Sequence, residues 1–117
     1  MVLDDPRLSR RARSEIEKAD RLVYSAASFW EIALKLSKGG FDIALPDRWH
    51  QELVAELRRI GSVRVEIQPD HCRRLQDLPW HHNDPFDRML IAQAQAEEVA
   101  ILTADRRFKK YGVKVLW

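Results

Sequence analysis

Apolar positions along the chain recur with two periods. From Leu8 they return at Ala12, Ile16 and Ala19, the spacing that keeps side chains on one face of a helix. This predicts a first helix from Pro6, capped by Asp5, because proline suits a first helical turn. A short strand follows over Leu22 to Ser25. Phe29, Ile32, Ala33 and Leu36 predict a second helix from about Phe29 to Lys38, with Ser28 and Glu31 at capping-box spacing and Gly39-Gly40 ending it. After a connector ending at Pro46, Trp49, Leu53, Leu57 and Ile60 mark a third helix, stopped by Gly61. Val63 to Ile67 alternates as a strand does.

Pro69 opens a short helix carrying Cys72, Leu75 and Leu78, and a polar loop with His81 and His82 runs from Pro79 to Asp84. Asp84-Pro85 starts a further helix through about Glu98. The apolar run Val99 to Thr103 reads as a strand buried on both faces. A helical turn from Asp105 to Tyr111, Gly112, and a strand from Val113 to Leu116 close the chain. Strands alternating with helices predict an α/β sandwich with a largely parallel sheet.

Composition narrows the class. A chain of 117 residues, 45% hydrophobic and 32% charged, predicts one globular domain over residues 1–117 with a real core. The lone Cys72 excludes an internal disulfide or a cysteine zinc site and fits a cytoplasmic address. No apolar run approaches ~18 residues, so no membrane span is expected, and Met1 to Arg13 reads as neither a signal peptide nor a lipid anchor. Net charge is only +2, but Arg106, Arg107, Lys109, Lys110 and Lys114 crowd the end of the chain, and Arg7, Arg10, Arg11 and Arg13 its start. Such patches either meet phosphates or form solvated helix faces.

Four glycines, at 39, 40, 61 and 112, allow neither a dinucleotide loop nor a phosphate-cradling P-loop. Ser25 and Ser28 lack a nucleophile elbow, and Cys72 sits inside a helical pattern. Carboxylates remain. Glu31 and Asp87 fall in first turns of helices, and Asp105 directly follows an apolar strand. Beyond the carboxyl ends of parallel strands such groups converge on one crevice, where acids need a proton or a cation between them. Oxygen ligands favour Mg²⁺ or Mn²⁺, which activates water and stabilises charge on a phosphodiester. Each acid also has a purely local account: a capping box for Glu31, a favourable helix dipole for Asp87, an N-cap for Asp105. His81 and His82, being adjacent, read as loop residues, and Trp30, Trp49 and Trp80 as core or groove lining.

The segments Ser25-Ala-Ala-Ser-Phe-Trp-Glu-Ile-Ala-Leu-Lys35, Asp84-Pro-Phe-Asp-Arg-Met-Leu-Ile-Ala-Gln-Ala94 and Leu102-Thr-Ala-Asp-Arg-Arg-Phe108, with the ending Tyr111-Gly-Val-Lys-Val-Leu-Trp117, closely resemble the PIN-domain family, and within it VapC-type toxins of bacterial toxin–antitoxin pairs. The resemblance implies a three-layer α/β/α sandwich and a Mg²⁺- or Mn²⁺-dependent endoribonuclease. Glu31, Asp87 and Asp105 match the family's second, third and fourth acidic positions, as catalytic metal ligands. Thr103 matches a residue near the site; Asp84 fits the subfamily pattern and reads first as a helix cap. Arg106, Arg107, Lys109 and Lys110 would then hold the RNA backbone, and an antitoxin protein is the implied partner.

Family members open with an Asp-bearing strand before the Asp4-Asp5-Pro6-Arg7-Leu8 segment, whereas this sequence begins at Met1-Val2-Leu3. The N-terminal strand and the first acidic residue are therefore expected to be missing. A lost ligand lowers metal affinity. Either the neighbouring strands close up, or a partner chain fills the gap in a homodimer, a higher oligomer or a strand exchange. The alternative to an enzyme is a non-catalytic PIN-like module that binds an antitoxin.

Overall fold

The computed structural model describes residues 9–39 and 45–117; the expected Asp5 cap and Pro6 start, with Arg7, Leu8 and Gly40, lie outside them. The first described helix, α1 (Arg10–Lys18), begins at Ser9, whose extended backbone and side-chain oxygen, accepting from the Ala12 N–H at 3.0 Å, form the N-cap. Strand β1 (Leu22–Ser25) lies where expected.

Helix α2 (Ala26–Ser37) starts three residues earlier than the Phe29 stripe predicts, and Ser28 with Glu31 is not its capping box. Ser25, the last residue of β1, is already the cap: its Oγ accepts from the Ala27 N–H at 3.1 Å. The apolar stripe could not reveal this, because Ala26 and Ala27 carry little periodic signal. Then come α3 (Trp49–Arg59), β2 (Ser62–Val65), α4 (Pro69–Gln76) and α5 (Pro85–Glu97). Leu78 falls beyond α4 but is buried. Strand β3 is only Ile101–Leu102, half-buried, not Val99–Thr103. Glu98 takes the left-handed conformation (φ 56°) and the Val99 N–H still bonds the Ala94 carbonyl, so the end of α5 consumes the start of the apolar run. A 3₁₀ helix (Arg106–Tyr111) and β4 (Val115–Leu116) complete the order.

β1 pairs in parallel with β2, Leu22 opposite Ser62, and β3 in parallel with β4, Ile101 opposite Val115. Helices flank these strands in an α/β architecture. The two pairs are separate sheets, so β1 and β3 have not closed up on one another. Val23, Tyr24 and Leu102 line both of the cavities between the pairs, of about 720 and 270 Å³. Helix α5 helps to hold this separation. Its Gln93 accepts from the Ser25 hydroxyl at the end of β1, while its Ile91 and Ala92 form the main core with Leu78, Phe108 and Tyr111, against which Ile101 and Val115 pack. A smaller core joins Ala12 and Ile16 to Leu22 and Leu102.

Of the core and groove-lining roles expected for the tryptophans, the structure excludes the core for two. Trp30 and Trp80 are 63% and 73% exposed and so are not core, while Trp49 is half-buried against Phe29. Among the described residues no helix is long and apolar enough to cross a membrane.

Candidate functional site

Asp84 closes the histidine loop and caps α5, its Oδ1 accepting from the N–H groups of Phe86 (2.9 Å) and Asp87 (3.1 Å). Pro85 in the first turn needs no N–H partner. Asp87 thereby stands at the positive end of α5. The start of α2 is bound to the same helix by the Ser25–Gln93 hydrogen bond and by Trp30, which meets Phe86 edge-on at 5.0 Å. This brings Glu31 near enough for its charge to act on Asp87. Glu31 also pairs with Lys35 at 3.3 Å.

Asp105 arrives from the other strand pair, as the N-cap of the 3₁₀ helix. Its N–H donates to Thr103 Oγ1 at 3.1 Å, and its carboxylate accepts from the Arg107 N–H at 2.9 Å. The Arg107 guanidinium clasps both Asp105 oxygens and also reaches Asp87 Oδ2 at 3.5 Å. Two carboxylates from separate elements therefore share one cation.

The electrostatics follow from these contacts. Burial raises the Asp87 pKa above its usual 3.8, with Asp84 and then Glu31 adding repulsion and a hydrogen bond to His82 opposing it. The Arg107 side chain and backbone lower that of Asp105 to about 2.

Asp87 and Asp105 are thus brought together, with Glu31 within electrostatic reach, yet among the described residues no three His, Cys, Asp or Glu side chains are grouped to hold a metal. The donor chemistry fits a hard divalent cation: the groups are carboxylates, and the negative charge around Asp87 is already drawing a guanidinium. Of the basic residues expected to face RNA, Arg106, Lys109 and Lys110 are exposed on the 3₁₀ helix, whereas Arg107 is engaged by the acids.

His82 was not legible as part of this site. It is a loop residue, as expected, but its ring is only 8% exposed and its Nε2 lies 3.4 Å from Asp87 Oδ2. Its place five residues before Asp87 was the available signal. Tyr111 and Arg88, which contact it or its partner, carried none.

Comparison with known proteins agrees with the resemblance of the motifs. The model of the PIN domain matches residues 1–114. "Ribonuclease VapC22" of Mycobacterium tuberculosis (strain ATCC 25618 / H37Rv) is 32% identical over 107 residues, spanning 90% of this chain and 78% of that protein. No solved structure matches the chain. The chain belongs to the PIN-domain family and is similar at moderate identity to a VapC-type ribonuclease toxin.

Proposed function

We propose that this chain is a metal-dependent endoribonuclease toxin, with Asp87, Asp105 and Glu31 as the residues that hold Mg²⁺ or Mn²⁺. The supporting observation is the convergence of Asp87 and Asp105 on one guanidinium, at 3.5 and 2.6 Å. When bound, the ion would supply Lewis acidity toward an RNA phosphate and lower the pKa of water. The chain's own contribution is placement. Asp84 fixes the backbone of Asp87, Thr103 that of Asp105, and Arg106, Lys109 and Lys110 offer charge to the phosphate backbone, which makes RNA affinity fall with salt. Arg107, now held by both acids, is the cation that a metal bound there would have to displace.

The test is cleavage of a mixed-sequence RNA with Mn²⁺, with EDTA, and with Asp87→Asn beside the parent. Cleavage that needs both the metal and Asp87 is the expected result. Cleavage retained in Asp87→Asn, or no cleavage with Mn²⁺, overturns the reading.

The separate strand pairs favour a second reading, a non-catalytic module that binds an antitoxin segment or a second copy. Among the described residues β1 and β3 line shared cavities without pairing to one another, and open strand edges accept added strands. Light scattering across a concentration series decides between a monomer and an exchanged oligomer.

A further inference from the structure

The hydroxyl of Tyr111 sits at the centre of a buried polar chain. Two groups that can only donate point at it: the backbone N–H of His82 at 3.2 Å and the Arg88 guanidinium at 3.3 Å. A phenolic oxygen presents two lone pairs and one O–H. With both lone pairs taken, its proton is left to donate, and the nearest acceptor is His82 Nδ1 at 2.7 Å. Nδ1 is then bare and the imidazole proton sits on Nε2. That nitrogen faces Asp87 Oδ2 at 3.4 Å.

We infer that His82 is a positioning residue for Asp87, locked by Tyr111 as the Nε2–H tautomer so that it holds one carboxylate oxygen in place for the cation. The inference deepens the proposed function and rests on Asp87 being a metal ligand. The far end of the chain is rigid. Arg88 is 2% exposed, donates to the carbonyls of Pro79 (2.7 Å) and Leu78 (3.3 Å), and lies 3.8 Å over the Trp80 ring. Tyr111 is 7% exposed in the main core, and the His82 ring also faces Phe108. At 3.4 Å the contact is long, as such bonds often are in unliganded sites. Partners that orient a metal ligand typically contribute ten- to a hundredfold to affinity.

The test joins a spectroscopic and a binding readout. Long-range ¹H–¹⁵N NMR of the metal-free chain, with the His82 signals identified by their loss in His82→Gln, should give the Nε2–H tautomer. It should shift toward Nδ1–H in Tyr111→Phe. Mn²⁺ binding should weaken about tenfold in His82→Ala, and His82→Gln, whose amide can donate to the same oxygen, should recover part of it. A parent Nδ1–H tautomer, or a folded His82→Ala that binds Mn²⁺ like the parent, overturns the inference. If His82→Ala does not fold, the tautomer and the His82→Gln affinity decide. Asp87→Asn separates the two ideas: unchanged Mn²⁺ affinity in that variant removes Asp87 as a ligand and defeats the proposed site, even where the tautomer is as expected.

Discussion

Arg107 and Asp87, twenty residues apart, meet at 3.5 Å across the line between α5 and the 3₁₀ helix, and the same guanidinium is clasped by Asp105. A fixed positive charge thus occupies the space between two acids. A divalent ion entering there competes with it. Arg107→Gln should therefore bind Mn²⁺ at least about threefold more tightly at low ionic strength, and the gain should shrink as salt screens the exposed guanidinium. Titration calorimetry at two salt concentrations checks this; weaker binding would mean that Arg107 supports the metal-loaded form.

Asp87 gives the metal-free protein a pH dependence. An acid whose folded pKa is raised keeps its proton longer in the native state, so stability falls as pH climbs from the unfolded value through the raised one. Here the window opens at 3.8 and extends upward, and the loss is complete above it. Asp87→Asn in EDTA should be more stable than the parent at pH 7, read as a higher Tm. Below pH 3.8 the difference should vanish. Thermal unfolding at both pH values is the check, and a variant less stable at pH 7 would show that the carboxylate's bonds outweigh its burial.

Ser25 serves two elements at once. Its Oγ accepts from the Ala27 N–H and donates to the buried Gln93, which is 4% exposed. Ser25→Ala removes a helix cap and leaves the Gln93 oxygen without its donor, a loss of about 2 kcal/mol. Because this bond ties α2 to α5, it also loosens Glu31 relative to Asp87. Urea unfolding should show the loss, and Ser25→Thr, which keeps the hydroxyl, should lose less.

The order of elements was legible because it rests on strong local signals: Asp84-Pro85 opens α5, Asp105 caps the 3₁₀ helix, and Val63 to Ile67 alternates, although the strand itself is Ser62–Val65. The start of α2 was not, since a cap at Ser25 competes with one at Ser28, and what distinguishes them is that Ser25 Oγ accepts from the Ala27 N–H while it donates to Gln93. Asp87 in a first helical turn and Asp105 as a cap after β3 lie where the sequence put them, but Glu31 does not: α2 begins at Ala26, which leaves no acid in its first turn and moves Glu31 to the second. Arg107 read as part of a basic run; its commitment to Asp87 depends on an element twenty residues upstream. The Tyr111–His82 contact spans 29 residues and involves a loop, where periodicity carries no information. Nor does a sequence pattern report whether two strand pairs join. That depends on the packing of α5 against both.

Arg88 is the most demanding residue of the core. It is 2% exposed, and its guanidinium satisfies the carbonyls of Leu78 and Pro79 and the hydroxyl of Tyr111. A buried cation is retained only when its donors are used, and removing it leaves those acceptors unpaired. Lysine does not rescue such a site, because one ammonium lacks the planar fork that reaches three oxygens. Arg88→Ala should cost about 3 kcal/mol or more through the three acceptors it leaves unpaired, and Arg88→Lys a large part of that, both measured by urea unfolding. Removing one of the two donors to Tyr111 also frees a lone pair on its hydroxyl, so in any folded fraction of Arg88→Lys the His82 ring should show a mixture of tautomers. A stable Arg88→Lys with an unchanged His82 spectrum would show that the Tyr111–His82 pair orders itself without the guanidinium.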